Sequence, residues 1–98
     1  MNANCHVELI QKDVSVEDQN AAQMVILAVW GLGCENCANR VRNSLLRLDG
    51  VVSADIALAH GLAMVDYVPS KTNSNDILLA VAAAGNDGHH HYRAEIVQ

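Results

Sequence analysis

Phenylalanine is absent from this 98-residue sequence, tryptophan occurs once and tyrosine twice. A chain so poor in aromatics has no evident platform for stacking nucleic-acid bases. Positive charge is also scarce: six Lys and Arg stand against eleven Asp and Glu, a formal charge of -5. That balance argues against a general binder of nucleic acid or of anionic membranes, since both need a basic surface to displace counterions. No apolar run approaches the roughly 18 to 20 residues that a membrane-spanning helix needs. Residues 1–23 lack the basic start and the sustained apolar centre of a secretory signal. Three cysteines without a dense pattern fit a reducing compartment where thiols stay free. The expectation is one small, soluble, cytoplasmic domain with an aliphatic core, no nucleic-acid partner and no membrane insertion.

What is present has a clear order. Residues 24–30 (MVILAVW) are apolar in both phases, as a central strand would be. Val41, Leu45 and Leu48 recur at helical spacing, which predicts a helix over 37–48 that Asp49-Gly50 ends. Residues 51–58 alternate, with Val52, Ala54, Ile56 and Leu58 on one face, and 62–68 alternate again after a short AHG link. The pair reads as a hairpin closed by Pro69. Asn73 or Ser74 would cap a second helix carrying Ile77, Leu78 and Val81, with Gly85 at its end, and residues 92–97 make a last strand. Strand, helix, strand, strand, helix, strand predicts an α+β, ferredoxin-like βαββαβ sandwich, a four-stranded antiparallel sheet with two helices on one face. The domain so defined covers 24–98. Residues 1–23 read as an N-terminal extension, either a mobile arm or an added edge strand.

Two of the three cysteines, Cys34 and Cys37, fall in GLGCENC at the joint between the first strand and the first helix. There the free N–H groups of a helix N-terminus favour thiolate over thiol, particularly at Cys37. A C-x-x-C pair serves as a metal clamp, a redox dithiol, or half of a four-cysteine zinc site. The last fails because no second pair exists. A thiol–disulfide oxidoreductase is the reading from a different class, but the element order and the place of Pro69 do not match a thioredoxin-like fold. As a clamp, two thiolates are soft ligands that suit Cu(I) or Zn(II) better than hard cations.

The residues Gly31-Leu32-Gly33-Cys34-Glu35-Asn36-Cys37, with the element order and the LDGV exit from the first helix, resemble the heavy-metal-associated domain. That domain occurs in copper metallochaperones and in the N-terminal modules of metal-transporting P-type ATPases, and its motif reads G-M-x-C-x-x-C. The resemblance covers about residues 24–97. It implies a non-enzymatic, solvent-facing site in which Cys34 and Cys37 bind one ion, Cu(I) first and Zn(II) second. The ion would pass to a partner's cysteine pair by ligand exchange. The chain would then be a metallochaperone-like protein or the metal-binding, regulatory N-terminal domain of a transporter. Leu32 replaces the family's Met, a packing residue that an aliphatic side chain of similar size can substitute.

Where the family often has Lys or Tyr near the metal, this chain reads GNDGHHHY. The last strand starts beside the end of the first, so His89, His90 and His91 are candidate auxiliary ligands, against the plainer reading of solvated loop residues. A bound imidazole would lose the metal as pH falls through about 6.5. The same reasoning puts His60, in the hairpin turn, at the opposite end of the sheet. Cys5 and His6 form a further Cys-His pair that could fold back onto the site or bridge two copies; an exposed thiol in a tail is the plainer reading. Arg40, Arg42 and Arg47 lie on the first helix, where no acid occurs from Asn36 to Leu48. They form a candidate docking face for an acidic partner, such as the metal-binding domain of a transporting ATPase or another metal acceptor. Either a monomer or a metal-bridged dimer is compatible with these features.

Overall fold

A computed structural model of the chain describes residues 7–85 and 91–98. A short helix, α1 (Val16–Ala21), precedes the apolar run, which forms strand β1 (Gln23–Trp30) with Val25, Leu27 and Val29 buried in strict alternation. The cysteine loop leads into helix α2 (Glu35–Leu46), followed by β2 (Val51–Ala57), β3 (Leu62–Tyr67), helix α3 (Ser74–Ala83) and β4 (Arg93–Ile96). The sheet order is β2-β3-β1-β4 and every pair is antiparallel, the ferredoxin-like arrangement that the pattern predicts. Val41 and Leu45 of α2 meet Ile77 and Val81 of α3 over Leu27, Ala63 and Val65, so both helices cover one face of the sheet. The core is aliphatic except for Cys37 and Tyr92, which are 5% and 6% exposed. Asn73 is the α3 cap; its side chain accepts from the backbone N–H of Asp76 at 2.9 Å. Among the described residues no helix is long and apolar enough to cross a membrane.

Three expectations are corrected. In β2 the alternation breaks at a bulge: Val51 pairs with Tyr67 and Ser53 with Asp66, so Val51 enters the core while Val52 stays half-buried. The β2–β3 turn, a 3-10 turn over Leu58–His60 with Gly61 left-handed, is at the cysteine end of the sheet. Leu62 faces Ala28 near the end of β1, and the Val29 N–H donates to the Gly61 carbonyl at 2.7 Å. His60 therefore shares the end that carries the cysteines.

The third concerns the N-terminal extension. Over residues 7–15 it is neither a free arm nor a sheet strand but an extended strap against α2. Asn43, 3% exposed, accepts from the Ile10 N–H at 3.0 Å and donates to the Glu8 carbonyl at 2.6 Å. Arg42 donates to the Ile10 carbonyl at 3.0 Å. The Lys12 ammonium ties the strap to the turn between α2 and β2, donating to the carbonyls of Leu48 at 2.9 Å and Val51 at 2.6 Å. Helix α1 follows, capped by Ser15 and tied to the body by the Lys71–Asp18 ion pair at 2.8 Å. Lys12→Met keeps the stem but strands both carbonyls, and is expected to cost about 1–2 kcal/mol in urea unfolding. A midpoint equal to that of the natural chain would show that the latch contributes nothing.

Candidate metal centre

The cysteine loop is shaped by a close approach. Gly31 has φ +98°, and a Cβ there would run into the His91 carbonyl and come within 3.2 Å of the Tyr92 ring. The loop after β1 is thus pressed against His91 and Tyr92, just ahead of Arg93, the β4 residue that pairs with Trp30. Leu32 is partly buried against the core, as expected of a residue in the Met position.

The two cysteines take different environments for a reason legible in the helix repeat. Cys34 is the N-cap of α2, in extended conformation and exposed. Cys37 begins the inward stripe that continues through Val41 and Leu45, and only 5% of it is exposed. Their sulfurs are 3.8 Å apart, both as free thiols. That spacing lies within the span of two thiolates sharing one ion at about 2.3 Å from each sulfur. Linear two-coordination needs about 4.6 Å on the same bond length, so the pair would have to open, and the exposed Cys34 side chain is the one free to turn.

Two opposing influences act on the Cys37 proton. Burial is the largest single influence and favours the thiol. The nearby Tyr92 side chain, the Gly33 backbone, and the side chain and backbone of Cys34 favour the thiolate and together outweigh it. They bring Cys37 from 9.0 to about 7. Because folding lowers this value, the thiolate stabilises the fold fully above pH 9, and that contribution disappears as pH falls through about 7. Tyr92→Phe removes the hydroxyl that favours the Cys37 thiolate and is expected to move the Cys37 midpoint upward, read from the cysteine Cβ carbon shift against pH in labelled protein. An unmoved midpoint would remove Tyr92 from the site.

The other candidate ligands are placed less centrally. His91 is exposed and touches the loop through its carbonyl opposite Gly31. Cys5, His6, His89 and His90 lie outside the described residues. Among the described residues no group of three or more His, Cys, Asp or Glu side chains converges as a metal cage, which leaves the cysteine pair as the donor set on view. Of the three arginines, Arg42 is engaged with the strap and Arg47 is exposed. Tyr92 is the site residue that periodicity alone does not mark, since it reads only as the start of the last strand. The available signal was a rare aromatic next to a glycine-rich loop, at the end of the sheet that carries the cysteines.

A family model for the heavy-metal-associated domain matches residues 26–87. The copper-transporting ATPase RAN1 of Arabidopsis thaliana is 34% identical over 79 residues, 80% of this chain and 8% of that protein. The cation-transporting ATPase HMA5 of Oryza sativa subsp. japonica is 44% identical over 57 residues, 58% of this chain and 6% of that protein. The chain thus spans 6% to 8% of the length of these curated relatives. The solved structure of the CopZ metallochaperone superposes with a TM-score of 0.66 at 32% identity, covering 74% of this chain and 100% of CopZ. With the sheet order, the loop between β1 and α2 and the match over residues 26–87 in agreement, the chain belongs to the heavy-metal-associated domain family.

Proposed function

We propose that this domain carries a soft metal ion, Cu(I) ahead of Zn(II), on Cys34 and Cys37, and surrenders it to a partner's cysteine pair by ligand exchange. The observation that carries this reading is the unequal thiol pair: two sulfurs 3.8 Å apart, one open to solvent and one buried. Cys37, with its value near 7, loses its proton readily when a metal arrives. Cys34 holds the outer side of the ion, where an incoming thiolate can attack and where the first sulfur can leave. Copper is placed first because RAN1 is named for copper transport and CopZ is a metallochaperone with the same fold. The activity is transfer rather than catalysis, in a reducing compartment such as the cytoplasm, where free thiols persist. The partner would be an acidic metal-binding domain of a transporting ATPase or another acceptor, approached with Arg40 of α2 and Arg47 just past its end facing it.

A second reading, that the domain is the regulatory metal-binding part of a transporter, is favoured by the ATPase relatives, in which the matching region is 6% to 8% of the protein. Both readings share the site and the first test. Anaerobic titration of the reduced protein with Cu(I), then with Zn(II), under competing chelators should show one tightly held equivalent of Cu(I). The triple variant His89→Ala/His90→Ala/His91→Ala should leave Cu(I) affinity nearly unchanged; if Zn(II) retention alone collapses, the histidine loop sets metal choice. Binding of neither metal, with dithiol–disulfide turnover instead, would replace this reading with an oxidoreductase.

A further inference from the structure

The contact between the strap and α2 has the form of peptide recognition. The Asn43 amide offers an acceptor to the Ile10 N–H and a donor to the Glu8 carbonyl, the pair of groups that one edge of an extended chain presents. Arg42 adds a charge-assisted hydrogen bond to the Ile10 carbonyl. Leu9 lines one side of a shallow groove whose other walls include Glu35, Ala38, Asn39 and Arg42, beside the first turn of the helix that opens at the cysteine motif. The segment that fills this receptor, residues 8–12, carries one acid and one base, Glu8 and Lys12, and is held through its backbone rather than through carboxylates. It lies on a helix with three arginines and no acid between Asn36 and Leu48. None of residues 7–15 is fully buried, and Leu9 is 55% exposed, so the strap is held by hydrogen bonds more than by core packing.

We propose that residues 8–12 are an intramolecular stand-in for the acceptor, their backbone occupying Arg42 and Asn43 until the acceptor displaces them. This rests on the reading of α2 as the docking helix. An acceptor whose thiols reach Cys34 must pass over the start of α2, where Leu9 lies. The strap therefore lowers the fraction of molecules competent to dock and selects acceptors able to compete for Arg42 and Asn43.

The test uses the full chain with the strap loosened in two ways: Ile10→Pro/Lys12→Met, which removes the N–H bound by Asn43 and the ammonium latch, and Lys12→Met alone. Each Cu(I)-loaded protein is mixed anaerobically with an apo heavy-metal-associated domain that has an acidic surface and its own cysteine pair, and transfer is followed by stopped flow. The double variant should transfer about five- to tenfold faster at low salt, with Lys12→Met between it and the natural chain and Cu(I) affinity unchanged. In the natural chain the Ile10 amide should lose protection from hydrogen exchange when the acceptor is added. Equal or slower transfer in both variants, or an Ile10 amide still protected in the complex, would overturn the proposal while leaving metal transfer intact. A natural chain that binds no Cu(I), or binds and never transfers it, would overturn the functional reading and this proposal with it.

Discussion

Replacing both Cys34 and Cys37 by serine should lower Cu(I) affinity by about a thousandfold or more, equivalent to about 4 kcal/mol. A serine hydroxyl stays protonated at neutral pH and is a hard donor, so the variant loses both the charge and the polarisability of the thiolates. The single variants should separate the two roles. Cys34→Ser alters an exposed cap position and should leave unfolding nearly unchanged while crippling metal retention. Cys37→Ser places a hydroxyl in the buried stripe above Val41 and removes the thiolate that Tyr92 stabilises, so it should weaken both metal binding and the fold. Competition titration and urea unfolding on the same samples would show the difference. A double variant that still holds one tight equivalent of Cu(I) would place the ligands elsewhere in the chain.

Gly31→Ala should destabilise the protein by about 3 kcal/mol or more, because a left-handed backbone and a collision with a carbonyl coincide at one residue. At φ +98° a side chain is strained wherever it points, and here the Cβ also meets the His91 carbonyl, which is backbone and cannot rotate away. The midpoint of thermal unfolding should fall by roughly 10–20 °C. Gly33→Ala is the control two residues on: nothing lies within 4 Å of its Cβ, and its cost should stay within about 0.5 kcal/mol. If the fold accommodates the added methyl group by moving the start of β4, Tyr92 moves with it and the Cys37 midpoint rises as in Tyr92→Phe. Equal stability of the two alanine variants would mean that the loops at this end do not press on each other.

The fold was legible where periodicity speaks. Alternation marked the hairpin, the spacing of Val41 and Leu45 marked α2, and an Asn-Ser pair ahead of Ile77 marked the start of α3. The joint between β1 and α2 was equally plain, since two cysteines stand where an apolar run gives way to a helical one. The strap was not legible because it is built from side-chain to backbone hydrogen bonds, and those impose no repeat on residues 7–15. Asn43 reads as one more polar residue on a helix until Glu8 and Ile10 are seen beside it. The bulge hid for a related reason: both Val51 and Val52 are suitable inward residues, and only the pairing with Tyr67 and Asp66 decides between them. His60 was misplaced by topology rather than by residue type. In a sheet ordered β2-β3-β1-β4, a strand antiparallel to β1 begins where β1 ends, and the turn before it begins there too.

Trp30, the only tryptophan in the sequence, is the last residue of β1, next to Gly31, half-exposed at 47%. Its ring lies under the Arg93 guanidinium at 4.6 Å, and Arg93 directly follows Tyr92. The natural chain therefore carries a single indole fluorophore wired to both loops of the cysteine end. Selective excitation of that indole should report loading and docking in the untagged protein. Quenching and spectral shift would follow the guanidinium contact as β4 adjusts, so a fluorimeter could time the exchange without a label on either partner.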